Sequence, residues 1–380
     1  MLETNDVKMT GKPLYHTTNK EEKDLSDERP KDVERKEVTP PAPEAFMGKQ
    51  LDFFRNFTAN GQEVDKLSNA FFLWDSVPRY GMSKQLQDKK RKIKGYLPLH
   101  RVKFEYQGNE YAATIQAARI WTNKEKTEDK DFYPSANEEL IEDALRKIAA
   151  ERDNAFIEIA NKQARSGVRF TLHMLREELK RRGHERNYKQ IYQSLMILWG
   201  SKITIETTDG KGEAMTGSTY FSALTVVSKS KIKEDPQAKW YVEFHPLITR
   251  GINTLAYRQY NYAKNLSFKN QLTRWIHKQL CLKHRAGGVL HPVFSMYFST
   301  IKRDSALLDG YKSQKDAVRA VENALNEMKA DEVLSSFIPL PTLGLRGKIE
   351  NVEYKITMTR AFWKEATAAN HRQNAIEKKL

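Results

Sequence analysis

Two stretches of this chain repeat one order of local structure, and that repeat constrains the fold more than any other feature. Between Phe170 and Ser228, Thr171 is a helix N-cap, and Leu172, Leu175 and Leu179 form the apolar stripe of the helix it opens. Arg181-Arg182-Gly183-His184 breaks that helix. A second helix is predicted from about Asn187 to Trp199, with Ile191, Tyr192, Leu195, Leu198 and Trp199 at helical spacing. Strands at Lys202–Glu206 and Tyr220–Ser228 follow, joined as a hairpin through a loop holding Gly210, Gly212 and Gly217. The order then recurs. Phe268–His284 reads as a helix, Pro292 opens a short helix through Ile301, and Arg303–Gly310 is a turn region. A helix from Ser313 to Lys329 buries Ala317, Val318, Val321, Leu325 and Met328, and strands Val333–Ile338 and Val352–Met358 close the unit.

Helix, turn, helix and a twisted hairpin is the winged-helix order. The expected fold class is therefore α+β, with two tandem winged-helix domains. Residues 97–256 make the first domain, which begins with a hairpin at Val102–Ile115 and a helix capped at Asn137. Residues 257–380 make the second domain and a C-terminal tail. Residues 1–46 hold 8 Lys and Arg against 11 Asp and Glu, few apolar side chains and the prolines Pro40, Pro41 and Pro43. Such a segment buries too little apolar surface to offset its ordering entropy, so a disordered arm is expected there. Residues 47–96 read as a flexible arm. Its clusters Gln50-Leu51-Asp52-Phe53-Phe54 and Phe71-Phe72-Leu73-Trp74 fit neither a long helix nor an alternating strand, and they have the character of docking peptides.

The full chain carries 64 Lys and Arg against 49 Asp and Glu, a formal charge of +15. The common partner of such a field is the phosphate backbone, where cationic side chains release condensed counterions. In the second unit Lys312, Lys315 and Arg319 face outward, with Gln314 at the helix start. Arg can grip guanine with two hydrogen bonds and Gln can do the same for adenine, so this helix is the expected base reader. Lys302 and Arg303 just before it suit phosphates. In the first unit Arg181, Arg182 and Arg186 crowd the turn and Lys189 lies on the second helix. Weaker DNA contact combined with a dimer role is expected there.

Catalytic chemistry is not apparent. Cys281 is the single cysteine, flanked by Leu280 and Leu282, and reads as an inert core residue, so no disulfide or cysteine-based zinc site is expected. His277 and His284 stand two helical turns apart with no carboxylates beside them. Tyr257, Tyr260 and Tyr262 suggest a nicking nucleophile, but the histidine cluster that such metal-assisted chemistry needs is missing, and packing between the units is the simpler reading. No phosphate loop of the GxxxxGK[ST] pattern occurs. No enzyme activity, cofactor or metal is expected. The chain lacks an apolar signal core and any run long enough to span a bilayer, which points to a cytoplasmic protein without membrane contact.

The order of elements, with Gln50–Phe54, Val168-Arg169-Phe170-Thr171 and Trp240-Tyr241-Val242-Glu243-Phe244, resembles plasmid replication initiators of the TrfA and RepA type. The resemblance covers roughly Lys49 to Met358. It implies binding to repeated iterons at a bacterial plasmid origin, opening of the duplex and a part in copy control. It also implies recruitment of host DnaA, replicative helicase and sliding clamp, and a homodimer through the first winged helix. Gln50, Leu51, Asp52 and Phe54 match the clamp-binding pattern Gln-Leu-(Ser/Asp)-Leu-Phe, with Phe53 in place of its second leucine. A winged-helix transcriptional repressor acting on an operator is the alternative from another class.

Overall fold

Side-chain caps set where the main helices begin. Thr171 accepts the amide of Met174 at 3.1 Å, Asn187 that of Gln190 at 2.9 Å and Ser313 that of Asp316 at 3.1 Å. Each oxygen satisfies a donor that the first helical turn leaves open. The computed structural model describes residues 43–58, 65–123, 125–151, 154–160, 163–207, 214–228, 235–283 and 293–378. The disordered arm expected over residues 1–46 lies outside the described residues up to residue 42, as do His284, Pro292, Gly210 and Gly212, whereas residues 43–46 open a helix.

Along the chain the elements are helix α1 (Pro43–Thr58), strand β1 (Leu67–Phe71), a 3-10 turn (Trp74–Ser76) and helix α2 (Lys84–Lys94). Strands β2 (His100–Tyr106), β3 (Asn109–Gln116), β4 (Ala118–Trp121) and β5 (Asp129–Phe132) lead to helix α3 (Ala136–Ala149). Then come β6 (Ala155–Ala160), β7 (Gln163–Phe170), α4 (Leu172–Arg181) and α5 (Tyr188–Gly200). They are followed by β8 (Lys202–Thr207), β9 (Met215–Thr219), β10 (Phe221–Val227) and β11 (Lys239–Phe244). Helix α6 (Pro246–Asn253), β12 (Tyr257–Asn261) and α7 (Tyr262–Ser267) connect to the C-terminal part. That part holds α8 (Gln271–Lys283), β13 (Phe294–Tyr297), α9 (Phe298–Ser305), α10 (Gln314–Ala330), β14 (Leu334–Leu343), β15 (Ile349–Met358) and α11 (Arg360–Glu377). The protein is thus a mixture of helices and antiparallel sheets.

Several expectations are corrected. Residues 47–96 are not an arm. Gln50, Phe54, Phe57 and Thr58 recur at helical spacing, and α1 lays that side on the body, where the Phe57 ring meets Tyr257 edge-on at 5.6 Å. The Phe71 cluster ends strand β1, which pairs antiparallel with β12 from Leu67↔Asn261 to Phe71↔Tyr257. Ser135, not Asn137, precedes α3, and its backbone amide donates to Glu138 at 2.8 Å. The two strands expected to form a hairpin after α5, at 202–206 and 220–228, do not pair with each other. β8 joins β3 and the unforeseen β9, giving the sheet order β2-β3-β8-β9, while β10 enters a second sheet, β10-β11-β7-β6. Residues 294–297 are a strand, not a helix, because Phe294 to Tyr297 pair with Ile356 to Glu353. The tail is helical as well. In α11, Phe362 and Ala366 pack into the core, and Gln373 donates to the Leu255 carbonyl at 3.0 Å.

Two apolar clusters result. The larger gathers α3, α4, α5 and the first two large sheets, and the smaller gathers α8, α9, α10 and the sheet β13-β15-β14. Between them lies a buried charge network. Asp75 receives both terminal nitrogens of Arg146, at 2.7 and 2.9 Å, and Lys278 of α8 reaches Asp143 of α3 at 2.8 Å. Glu142 accepts from Arg79 at 3.0 Å and from the Trp74 indole at 2.5 Å, and Arg274 meets Glu139 at 3.3 Å. Burial alone would raise the Asp75 pKa, but Arg146, Lys278 and Arg79 overcome it and hold the carboxyl far below the usual carboxylate range.

Candidate nucleic-acid interface

Helix α10 divides cleanly between core and solvent. Ala317, Val318, Val321, Leu325 and Met328 are buried, whereas Lys312, Gln314, Lys315 and Arg319 are exposed around its first two turns. Lys315 and Arg319 are four apart and share a face. Asp316 stands 3.6 Å from Arg319, an exposed and loose pairing that also accepts the Ser313 hydroxyl. Among the described residues no acid pairs with Lys312 or Lys315. Gln314 is held differently from the sequence expectation. Its side-chain amide donates to the Glu350 carbonyl at 3.0 Å, so it latches the start of α10 to strand β15.

That latch aligns the helix with the β14–β15 hairpin. The hairpin pairs from Leu334↔Met358 to Leu343↔Ile349, with register shifts between Leu334 and Ser336 and between Thr342 and Leu343, and Arg346 (φ 62°) and Gly347 (φ 70°) turn its tip through left-handed conformations. Arg346 and Lys348 are exposed there, with Leu345 91% exposed between the strands. The α10 surface and the hairpin tip therefore form a cationic ridge and a projecting finger on one unit.

The other sites expected from sequence are engaged within the molecule to differing degrees. Lys302 is exposed on α9, but Arg303 pairs with Asp304 at 2.6 Å and with Glu105 of β2 at 2.8 Å. Arg181 and Arg182 converge on Asp65, at 2.7 and 3.1 Å, and both also pair with Glu178. The Arg182 guanidinium lies 5.5 Å from the Tyr262 ring centre. Arg186 donates to Asn137 at 3.0 Å and to the Glu185 carbonyl at 2.8 Å. Lys189, like Lys302, is exposed with no ion pair among the described residues. In α1, Gln50 is buried, Phe53 and Phe54 are half-buried, Leu51 is 40% exposed, and Asp52 pairs with Arg55 at 3.2 Å.

The expected nonchemical residues behave as packing groups. His277 is fully buried and burial lowers its pKa to about 3, while burial pushes the Cys281 thiol up to about 12. Tyr257, Tyr260 and Tyr262 are buried around β12 and α7.

One basic element escaped the sequence reading. Helix α2 holds six Lys and Arg and one Asp between Lys84 and Lys94, a run visible in the sequence as Lys89-Lys90-Arg91-Lys92. This helix lies outside both copies of the repeated order of elements.

No protein-family model and no curated protein matches the chain. Among solved structures it is similar to domains 2 and 3 of RctB, with a TM-score of 0.43 and 8% identity over 70% of this chain and 95% of that one. It is also similar to the Pi initiator protein, solved in complex with iteron DNA, with a TM-score of 0.39 and 12% identity over 59% of this chain and 91% of that one.

Proposed function

We propose that the chain is a plasmid replication initiator built on two tandem winged-helix domains, which binds iterons at its origin, helps open the duplex and recruits host replication proteins. The carrying observation is the exposed row Lys312, Lys315 and Arg319 at the start of α10, latched through Gln314 to a hairpin with a cationic tip. A helix presenting donors at its N-terminal turns can enter the major groove while a neighbouring hairpin follows the adjacent backbone. Strand order supports the winged-helix assignment. In both halves the strand before the helix pair lies next to the last strand of its unit, as β13-β15-β14 and as β7-β11-β10. The initiator part rests on the resemblance at Gln50–Phe54, Val168–Thr171 and Trp240–Phe244. No reaction of its own is assigned to the chain, and a cytoplasmic setting goes with this reading.

Contact with the sliding clamp would require α1 to lift off, since Gln50 and Phe54 face the body. Leu51→Ala, at an exposed position, is the variant that tests clamp capture without disturbing packing. DnaA, the helicase and a homodimer through the first unit belong to the same proposal.

The decisive experiment is a footprint of the purified protein across its own replicon at moderate salt. Protection of several direct repeats is expected. A single inverted site would favour the repressor reading, and no site-specific protection would sink both.

A further inference from the structure

Helix α2 is an amphipathic element whose exposed positions are Lys84, Lys89, Lys92 and Lys94 with Gln85, Asp88 and Ile93 among them. Its inner side is anchored by Gln87, which is buried and donates to the carbonyls of Met82 and Tyr133 at 3.0 Å while accepting the Tyr133 amide at 3.0 Å. Arg91 lies against Phe132, and Leu86 packs on the core. With that side fixed, the 3.6-residue period directs Lys89 and Lys92 outward, flanked by Lys84. All three are exposed, as is Lys94. The one acid of the helix, Asp88, is occupied by Arg91 and by Lys130 at 3.4 Å. Among the described residues Lys84, Lys89, Lys92 and Lys94 have no acidic partner.

A solvated helix face ordinarily mixes signs, because like charges three or four residues apart repel by a few tenths of a kcal/mol. The helix dipole accounts for Lys92 and Lys94 in the last turn. It works against Lys84 in the first turn and leaves Lys89 unexplained. A polyanion lying along the helix would relieve all of these repulsions together.

The position of α2 says which polyanion. A Cβ added to Gly310 would stand 3.4 Å from Leu86 of α2, so α2 abuts the turn that leads into α10. Asp309 in that turn has its carboxyl raised by burial, and Lys302 of α9 and Lys90 of α2 both act against that rise. Helix α2 thus meets the turn before α10 through its Leu86–Lys90 flank, and Lys89 lies on the next face outward. At 1.5 Å per residue the helix is about 16 Å long, enough to lie against about three phosphates of one strand.

We infer that α2 is a phosphate-binding shelf beside α10, in which Lys84, Lys89 and Lys92 grip the backbone of the duplex flanking the bases that α10 reads. This rests on the DNA-binding reading above and extends it to an element that makes no base contact. Phosphate contacts set register and add affinity without sequence preference.

The test uses the full-length protein and a triple variant, Lys84→Ala, Lys89→Ala and Lys92→Ala, with a thermal melt to show that the exposed changes leave the fold intact. Binding to a specific and a scrambled duplex is measured from 50 to 200 mM salt. If each lysine holds one phosphate, the slope of log K against log salt becomes shallower by about 2–3 in the variant. Affinity for both duplexes should fall by the same factor, and hydroxyl-radical protection should shorten on one side only. An unchanged slope overturns the inference while leaving the DNA-binding reading intact. Failure of the wild type to bind either duplex overturns that reading itself. Wild-type binding to phosphatidylglycerol vesicles that the variant loses, with an unchanged DNA slope, would overturn the shelf and assign α2 to an anionic membrane.

Discussion

Lys315 and Arg303 lie only twelve residues apart, carry the same charge and are both exposed, yet their surroundings give them different tasks. Lys315 has no acidic partner among the described residues, and Arg319 has only the loose contact with Asp316 at 3.6 Å. Lys315→Ala and Arg319→Ala should each weaken specific binding by about 1–3 kcal/mol if they reach base edges. Competition with scrambled duplex decides between the two kinds of contact, because an equal loss on both duplexes would make them phosphate ligands. Arg303 instead bridges α9 to β2 through Asp304 and Glu105. Arg303→Ala should leave the salt dependence of DNA binding unchanged and lower stability by about 0.2–1 kcal/mol, read from a urea titration. The sequence could not distinguish these residues. Glu105 is far from Arg303 along the chain, as Asp65 is from Arg181, and only the tertiary fold brings the acids to the arginines. Lys312, Lys315 and Arg319 were legible because their exposure follows from a helix whose apolar face is explicit.

At the scale of elements, α3 and α8 are joined less by apolar contact than by paired charge. Asp75 is the centre, with Arg146 bound through two nitrogens and Lys278 nearby at 3.8 Å. Asp75→Asn keeps the shape and removes the countercharge, leaving buried cations uncompensated. A loss of about 3–5 kcal/mol is expected in chemical denaturation, and a loss under 1 kcal/mol would show that the network adjusts without it. The helices and caps at Thr171, Asn187 and Ser313 were legible because caps and apolar stripes are local signals. Strand partnership was not. β8 and β10 each look like half of one hairpin, but β8 completes a sheet begun by β2 and β3, a pairing across some ninety residues. The amphipathic character of α1 was hidden because its inner side mixes the polar Gln50 and Thr58 with aromatic rings, and the rings' meaning depends on Phe71 and Tyr257 being there to receive them.

For the whole molecule, two deeply buried histidines contribute to the behaviour in acid. His277 is driven down to about 3 by burial and by Lys264 and Lys278, with Asp331 opposing, and His245 to about 3 by burial and Arg79. His245 accepts the Leu247 amide through Nδ1 at 3.2 Å and stacks on Trp74 at 4.3 Å, an arrangement suited to the neutral ring. In the unfolded chain both titrate near 6.5. Their folded values are depressed, so the unfolded state binds more protons below 6.5. The stability they confer is full above that pH and is lost as pH falls towards 3. Two such groups give a slope approaching about 2.7 kcal/mol per pH unit in that window. Urea midpoints at pH 7.0 and pH 5.5 check this, and equal midpoints would contradict it.

The salt-linked seam between α3 and α8 has a further consequence for any DNA that both halves engage. A seam of buried, paired charges resists rotation, because any new relative orientation would strand ions away from water. The two halves then act as a rigid ruler laid against a screw, and the DNA must present its contacts in a fixed rotational phase. Inserting about five base pairs between the stretches each half touches turns one of them roughly half a turn away. Affinity should collapse at that insertion and recover at about ten, measured by gel shift on a series of spacer lengths. A smooth decline with length would mean that the seam gives way.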